Sequence, residues 1–324
     1  MTFLNGCKLF IIIFCGGFNL NSFSQAYPER PIKLVVGLAA GGPTDLIARI
    51  IAKRLSDQIG QSVIVENKVG AGGSIAAEFV ARSEPDGYTL LWASSSLALL
   101  PIVAPMSKFS PDRDLLSVTA VAAAPSVLLV RNDSPYKTFD DLYKSVKAKP
   151  GELSFGSPGI GTSSHLAAAV MIHAGGLRAL HVPYKGNSQV MQDLLAGQID
   201  FMFDSTLTAM PMIQSQKLRP LAVTPISRST VLPDIPTLDE SGIAGFDMVP
   251  WFAIFGPNGM RRETVNRLSE DMQRVVLRPE VIKELASRGS EPYYKNSQDL
   301  KKLLGNEIAM WKTKLEKMGL NLSQ

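Results

Sequence analysis

The sequence predicts an α/β chain in two domains, the first built on a parallel sheet. Three observations carry this prediction. Short apolar runs of strand type alternate with segments of helical period, and short loops join them. Two strand-to-helix junctions are glycine-rich turns, one after Val36 and one after Phe155. The length of 324 residues suggests two cores rather than one.

The elements follow in chain order. Pro31 to Val36 reads as the first strand. Leu46, Ile47, Ile50, Ile51, Leu55 and Ile59 then recur at helical spacing, so a helix is expected from Asp45 to Ile59, with Gly60 as its stop. Ser62 to Glu66 is a second strand, Ile75 to Arg82 a second helix and Tyr88 to Ala93 a third strand. The turns after Val36, Glu66 and Ala93 would share the carboxyl edge of the sheet, where ligands bind in this architecture. A second domain begins near Ser126–Val130 and continues through a helix at Phe139–Lys147 and a strand at Leu153–Phe155. It then contains a helix at Ser163–His173, a helix ending at Ala196, and strands at Ile199–Asp204 and Leu218–Val223. The Pro- and Gly-rich stretch from Leu232 to Gly256 reads as a return crossover. Helical stretches at Arg262–Val276 and Gln298–Lys317 are expected to cover the first sheet. The division expected is 1–26 as a signal segment, 27–126 with 247–324 as the first lobe, and 127–246 as the second.

The glycine-rich turns carry the functional argument. In the first, Gly41-Gly42-Pro43-Thr44-Asp45 leads into a helix, and in the second Gly159-Ile160-Gly161-Thr162-Ser163-Ser164-His165 does the same. A helix start presents unpaired backbone N–H groups and the positive end of the helix dipole, which suits a phosphate or carboxylate. Glycine also occurs in such turns for steric reasons alone. Two such turns together favour one anionic small molecule held between them. Asp45 and Asp204, at strand ends, are read as a helix cap and a solvated or hinge carboxylate, or as acceptors for a ligand donor. Lys185 is either a neutralising partner or a surface lysine.

Several chemistries find no support in the sequence. Gly156 to Gly161 has P-loop glycine spacing, but Thr162 stands where a lysine is required. Neither turn has the dinucleotide pattern. His165, His173 and His181 lie eight residues apart and lack metal-ligand spacing, so no metal and no cofactor are expected. His173 and His181 read as partly buried, hydrogen-bonded rings. Gly161-Thr162-Ser163-Ser164-His165 lacks the second glycine of a nucleophile elbow, and adjacent helical side chains point about 100° apart. An exported hydrolase is therefore the weaker reading, and no catalytic residue is assigned. The net charge of +4 has no dense Lys/Arg run, so nucleic acid is not an expected partner.

The N-terminus has its own signature. Lys8, the apolar run Leu9–Cys15 and the end Ser24-Gln25-Ala26 describe a secretory signal, with cleavage expected after Ala26. Both cysteines, Cys7 and Cys15, fall inside it, so the mature chain has no thiol or disulfide.

The ordered series of motifs resembles the Bug/TctC-type periplasmic solute receptors of tripartite tricarboxylate transport systems. It comprises Gly41–Asp45, Glu66–Gly73, Pro85–Leu90, Gly159–Leu166, Val182–Gly186, Asp193–Asp200 and Leu232–Thr237, and it covers nearly the whole mature chain. The resemblance implies a two-lobed α/β periplasmic-binding-protein (Venus flytrap) fold with crossover strands and the ligand in the cleft. It implies that two loops grip a ligand carboxylate through backbone N–H groups, hydroxyls and water. On this chain that implicates Ala40, Gly41, Gly42, Thr44 and Asp45, with Gly159, Gly161, Thr162, Ser163 and His165. By the same resemblance Ser94, Ser95, Ser96 and Asp204 would contact the ligand's other end, and Tyr184 is also expected to touch the ligand. Leu38 departs from the family's aromatic residue, and Gly37-Leu38-Ala39 replaces its Pro-aromatic-Pro. The implied protein is a periplasmic monomer that delivers a small organic carboxylate to a membrane permease. A ligand-dependent sensor of the same fold, docking a signalling partner, is the alternative.

Overall fold

The computed structural model describes residues 27–103, 108–229 and 231–319. The signal segment, both cysteines and the cleavage point after Ala26 lie outside the described residues. The chain forms a six-stranded sheet and a five-stranded sheet, both mixed.

Strand β1 (Ile32–Val36) buries four of its five residues, as a strand covered on both faces must. Helix α1 (Pro43–Ile59) follows. Pro43 sits in its first turn, where a missing N–H costs nothing, and Gly60 ends it in the left-handed conformation. Next come β2 (Val63–Asn67), α2 (Ser74–Ala81) and β3 (Thr89–Ser94). A 3-10 turn at Ser95–Leu99 leads to two short helices, α3 (Leu100–Val103) and α4 (Pro111–Asp114), and to β4 (Leu115–Ala123).

The chain then enters the second sheet at β5 (Ser126–Arg131). Helix α5 (Phe139–Ala148) opens with a reciprocal Thr138–Asp141 capping box. Three strand–helix units follow: β6 (Ser154–Ser157) with α6 (Ser163–Ala174), β7 (Leu180–Pro183) with α7 (Asn187–Ala196), and β8 (Phe201–Ser205) with α8 (Thr206–Gln214). Strand β9 (Leu218–Val223) completes the sheet. The chain returns at β10 (Trp251–Pro257) and ends with α9 (Arg262–Val276), α10 (Pro279–Ser287), β11 (Glu291–Lys295) and α11 (Ser297–Met318).

The first sheet has the order β11-β4-β10-β3-β1-β2, and the second β7-β6-β8-β5-β9. Only β1, β2 and β3 run parallel in the first sheet; β10 is antiparallel to both its neighbours. This corrects the expectation of a parallel first sheet. It also corrects the reading of 232–256 as crossover alone, because Trp251 onward is a central strand. All seven β10 residues are buried, so no alternation of polar and apolar residues marks it as a strand.

Helices α1 and α9 pack on one face of the first sheet, through Ile47, Ile51 and Leu55 against Leu268, Met272 and Val276. The other face holds α2 and α11, through Ala76, Ala77 and Val80 with Leu300, Leu304 and Trp311. The two passages between sheets are tied together: Ala124 N–H donates to Pro250 O at 2.9 Å. Next to them Thr206 N–H donates to Pro125 O at 3.0 Å. The carboxyl ends of both sheets therefore face each other across a short double connection.

Candidate functional site

The first loop is held from beneath by Asp45. Gly41 adopts a left-handed φ of 81°, which lets the chain reverse before α1. Its N–H donates to Asp45 Oδ2 at 3.0 Å. Arg49 donates to both carboxylate oxygens at 2.9 and 3.0 Å, and Asn67 Nδ2 donates at 2.9 Å. Asn67 also donates to Leu38 O at 3.0 Å, so both ends of the turn are tied to one framework. Burial pushes the Asp45 carboxyl up, but hydrogen bonds from Arg49, Gly41 and Asn67 and the Arg49 charge outweigh it, leaving it below its usual value. Asp45 is only 1% exposed, and its acceptor capacity is taken up inside the loop. It buttresses the turn, and the N-cap position belongs to Gly42. Asp45→Ala takes the shared acceptor from the Gly41 N–H, the Asn67 amide and the half-exposed Arg49 guanidinium. The expected cost is about 3 kcal/mol, read as a fall of roughly 6 °C or more in thermal unfolding midpoint. An unchanged midpoint would contradict this role.

The second loop rests on a stack of rings. Phe155, His181 and His165 lie in sequence, with centroids 4.8 and 4.3 Å apart. Gly161 N–H donates to His165 Nδ1 at 3.2 Å, so the neutral ring carries its proton on Nε2. Burial holds both histidines down at about 4, and for His165 the neighbouring His181 adds to the effect. Thr162 caps α6, accepting from His165 N–H and donating to Gly159 O at 2.8 Å. His181 Nε2 meets Ser157 Oγ at 2.7 Å, but Ser157 is fully buried away from the cleft. His173 is exposed, against the expectation of a partly buried ring, because it lies in the last turn of α6 beyond the packed face.

Between the loops lies a cavity of about 70 Å³. Four helix starts converge on it: α1, α6, α7 and α8, whose N-cap residues Gly42, Thr162, Gly186 and Ser205 all line its wall. Each helix start carries roughly half an elementary positive charge. Thr162 and Ser205 cap their helices with side-chain oxygens, whereas Gly42 and Gly186 have none to offer. The first N–H groups of α1 and α7 thus have no side-chain cap. Among the described residues that line the cavity, Lys185 is the one charged side chain, and there is no carboxylate. The chemistry is that of an anion receptor.

The structure brings seven of the expected residues to this wall: Leu38, Gly42, Thr44, Ser94, Ser96, Thr162 and Ser163. The others do not line it. Ala40, Gly41 and Asp45 shape the first loop, and Gly159, Gly161 and His165 shape the second. A Cβ on Gly161 would come within 2.9 Å of Val103, so this glycine marks a close approach between the halves. Ser95 faces a different cleft beside Trp251 and Glu307. Tyr184 is not part of the lining and donates to Asp193 at 2.6 Å. Asp204 is fully buried and engaged by Ser205 N–H, Thr208 and Asn187.

Sequence reading missed Ser126, Asn187, Ser205 and Phe252 as lining residues. Gly186 followed by a helix start is a signal that pointed to Asn187. Phe252 had none, since it sits in the unrecognised strand β10 and stacks on Trp92 at 6.3 Å. It supplies the cavity with an aromatic wall that the first loop lacks at Leu38.

Two facing α/β halves around an anion-receiving cavity define a two-lobed solute-binding protein. Residues 47–320 match the tripartite tricarboxylate transporter family receptor, TctC, and the chain belongs to this family. The structure is similar to that of the periplasmic binding protein BugD, with 34% sequence identity, a TM-score of 0.86 and coverage of 91% of this chain and 99% of that one. A Rhodopseudomonas palustris protein solved with adipate is 31% identical, with a TM-score of 0.88 over 91% of this chain and 99% of that one. MatC from the same organism, solved with malate, is 29% identical, with a TM-score of 0.83 over 89% of this chain and 99% of that one. The family is one of binding receptors, not enzymes. No helix among the described residues is long and apolar enough to cross a membrane.

Proposed function

We propose that this chain is the periplasmic receptor of a tripartite tricarboxylate-type transporter and binds a small carboxylate-bearing organic acid in the cavity between its lobes. The observation that carries this reading is the convergence of four helix starts on one cavity with no lining carboxylate. Backbone N–H groups of α1 and α7, with the hydroxyls of Thr44, Ser94 and Ser163, hold the anion. The related proteins solved with adipate and with malate support a carboxylate as that anion. A cavity of this volume has room for roughly five water molecules, the scale of a short-chain acid. The lobes are 27–126 with 247–324, and 127–246. The protein is exported by its signal segment, cleaved after Ala26, acts as a monomer and passes its ligand to a permease.

The test is a thermal-unfolding screen of the mature protein, unfolded and refolded to strip carried-over ligand, against mono-, di- and tricarboxylates. A ligand at 100 times its Kd adds about 2.7 kcal/mol and raises the midpoint by several degrees. A flat response to every acid would remove the carboxylate assignment.

A further inference from the structure

We propose that the cleft beside the anion cavity, bordered by Trp251, Tyr293 and Trp311, is a second ligand site and takes a small organic cation. The cleft has a volume of about 400 Å³, within the usual range of small-molecule sites. Both halves of the molecule build it. Ser163 and Leu166 come from α6, Trp251 from β10, Tyr293 from β11, and Glu307 and Trp311 from α11. Ser96, Ser163 and Pro250 line this cleft and the anion cavity alike, so the two share a wall.

The two linings differ in sign. The anion cavity has Lys185 and no carboxylate. The second cleft is lined by Asp247, Glu291 and Glu307, and by no lysine, arginine or histidine among the described residues. None of the three carboxylates forms an ion pair among the described residues. Lys295 and Lys314 stand over the Tyr293 and Trp311 rings at 5.1 and 5.4 Å, and neither lines the cleft. Lys314 feels the charge of Asp247, so that carboxylate is partly answered.

Glu307 is not answered. Its Oε1 accepts from Trp251 Nε1–H at 2.6 Å, and Oε2 has no partner among the described residues. The inaccessible orphan atoms among those residues belong to Trp92, Asn187 and Ser290, so Oε2 of the half-buried Glu307 is within reach. Burial pushes the Glu307 carboxyl up to about 7, the mark of an ionised form short of counter-charge. A cation in the cleft supplies that charge, and aromatic rings attract a cation placed over their faces. Leu99, Leu166, Met248 and Met310 complete the lining, which suits a cation carrying methyl or methylene groups. A bare metal ion fits less well, because no group of three ligating side chains among the described residues could hold one.

Choline and 3,3-dimethylbutan-1-ol share one shape and differ by one charge, so titrating the mature protein with both isolates the claim. Calorimetry gives the affinity, and the fluorescence of Trp251 and Trp311 reports occupancy of the cleft. Choline is expected to bind tighter than the alcohol by roughly tenfold or more. Agmatine, which carries a guanidinium, is the second cation, and binding of either one supports the site. Glu307→Gln keeps an acceptor for Trp251 and removes the charge. It weakens the cation by roughly tenfold and leaves the alcohol where it was. A variant that had merely loosened the fold would weaken both. Equal affinity for choline and the alcohol would overturn the proposal in favour of a plain apolar cleft. Undiminished cation binding by Glu307→Gln would overturn it by placing the cation elsewhere. No binding of choline or agmatine up to about 10 mM would overturn it outright. None of these outcomes touches the carboxylate reading, because neither Glu307 nor the three rings line the anion cavity.

Discussion

Gly42→Asp is expected to weaken ligand binding by more than 100-fold while leaving the fold as stable as before. Gly42 is the N-cap of α1 with φ −80° and ψ 170°, an ordinary conformation for any residue. A Cβ there would meet Ala39 O at 3.5 Å and Asn187 Cβ at 4.0 Å, both normal contacts. Aspartate is among the best N-cap residues and complements the helix dipole, so α1 itself gains. The same carboxylate then occupies the N–H groups a ligand uses and repels the ligand's charge. At about 5 Å and an effective dielectric of 20, that repulsion alone is about 3 kcal/mol, or more than 100-fold in Kd. Titration with whichever acid the screen identifies, alongside thermal unfolding, measures both quantities. A folded variant with undiminished affinity would move the site away from the start of α1. Gly42→Ser, which caps without charge, is expected to lose far less.

Acid is expected to destabilise the protein through the histidine stack under the second loop. Burial holds His165 and His181 at about 4, below the ordinary histidine value of about 6.5. Between those values the unfolded chain binds more protons than the folded one, so stability rises with pH through this window. The contribution is complete above about pH 6.5 and is lost as pH falls toward 4. His165 accounts for about 3 kcal/mol at the acid end, and the more exposed His181 for less. Two carboxyls work in the opposite sense: burial raises Asp204 to about 6 and Glu307 to about 7, and protonating them favours the folded state.

The histidine part is isolated by comparison with His165→Gln/His181→Phe. On going from pH 7 to pH 4.5, the wild type should lose a few kcal/mol relative to this double variant. Parallel stability curves would show that the stack does not titrate as described. Protonation also removes the acceptor that Gly161 N–H uses on His165, so the second loop loses its main tie in the same window.

The legible part of this protein is local. The turns at 41–45 and 159–165, the helix starts that follow them and the stops at Gly60 and Gly197 depend on residues within four positions of one another. The ordered motifs and the family reading rest on the same kind of signal. The errors are non-local. β10 went unread because a strand buried on both faces has no alternation. Asp45 and Asp204 look alike as strand-end aspartates. Neither lines the cavity, yet one takes donors from Gly41, Arg49 and Asn67, and the other lies sealed beneath α7.

The sequence by itself determined two glycine-rich strand-to-helix turns, the α/β class and the family. Tertiary structure alone decided that α7 and α8 add their starts to the same cavity, that Phe252 supplies its aromatic wall and that one amide oxygen of Asn187 is left without a partner. The physical reason lies in range. A helix start is made by the φ/ψ preferences and caps of adjacent residues, whereas the point at which four starts meet is set by strand order and by how two sheets face each other across Ala124 and Pro250.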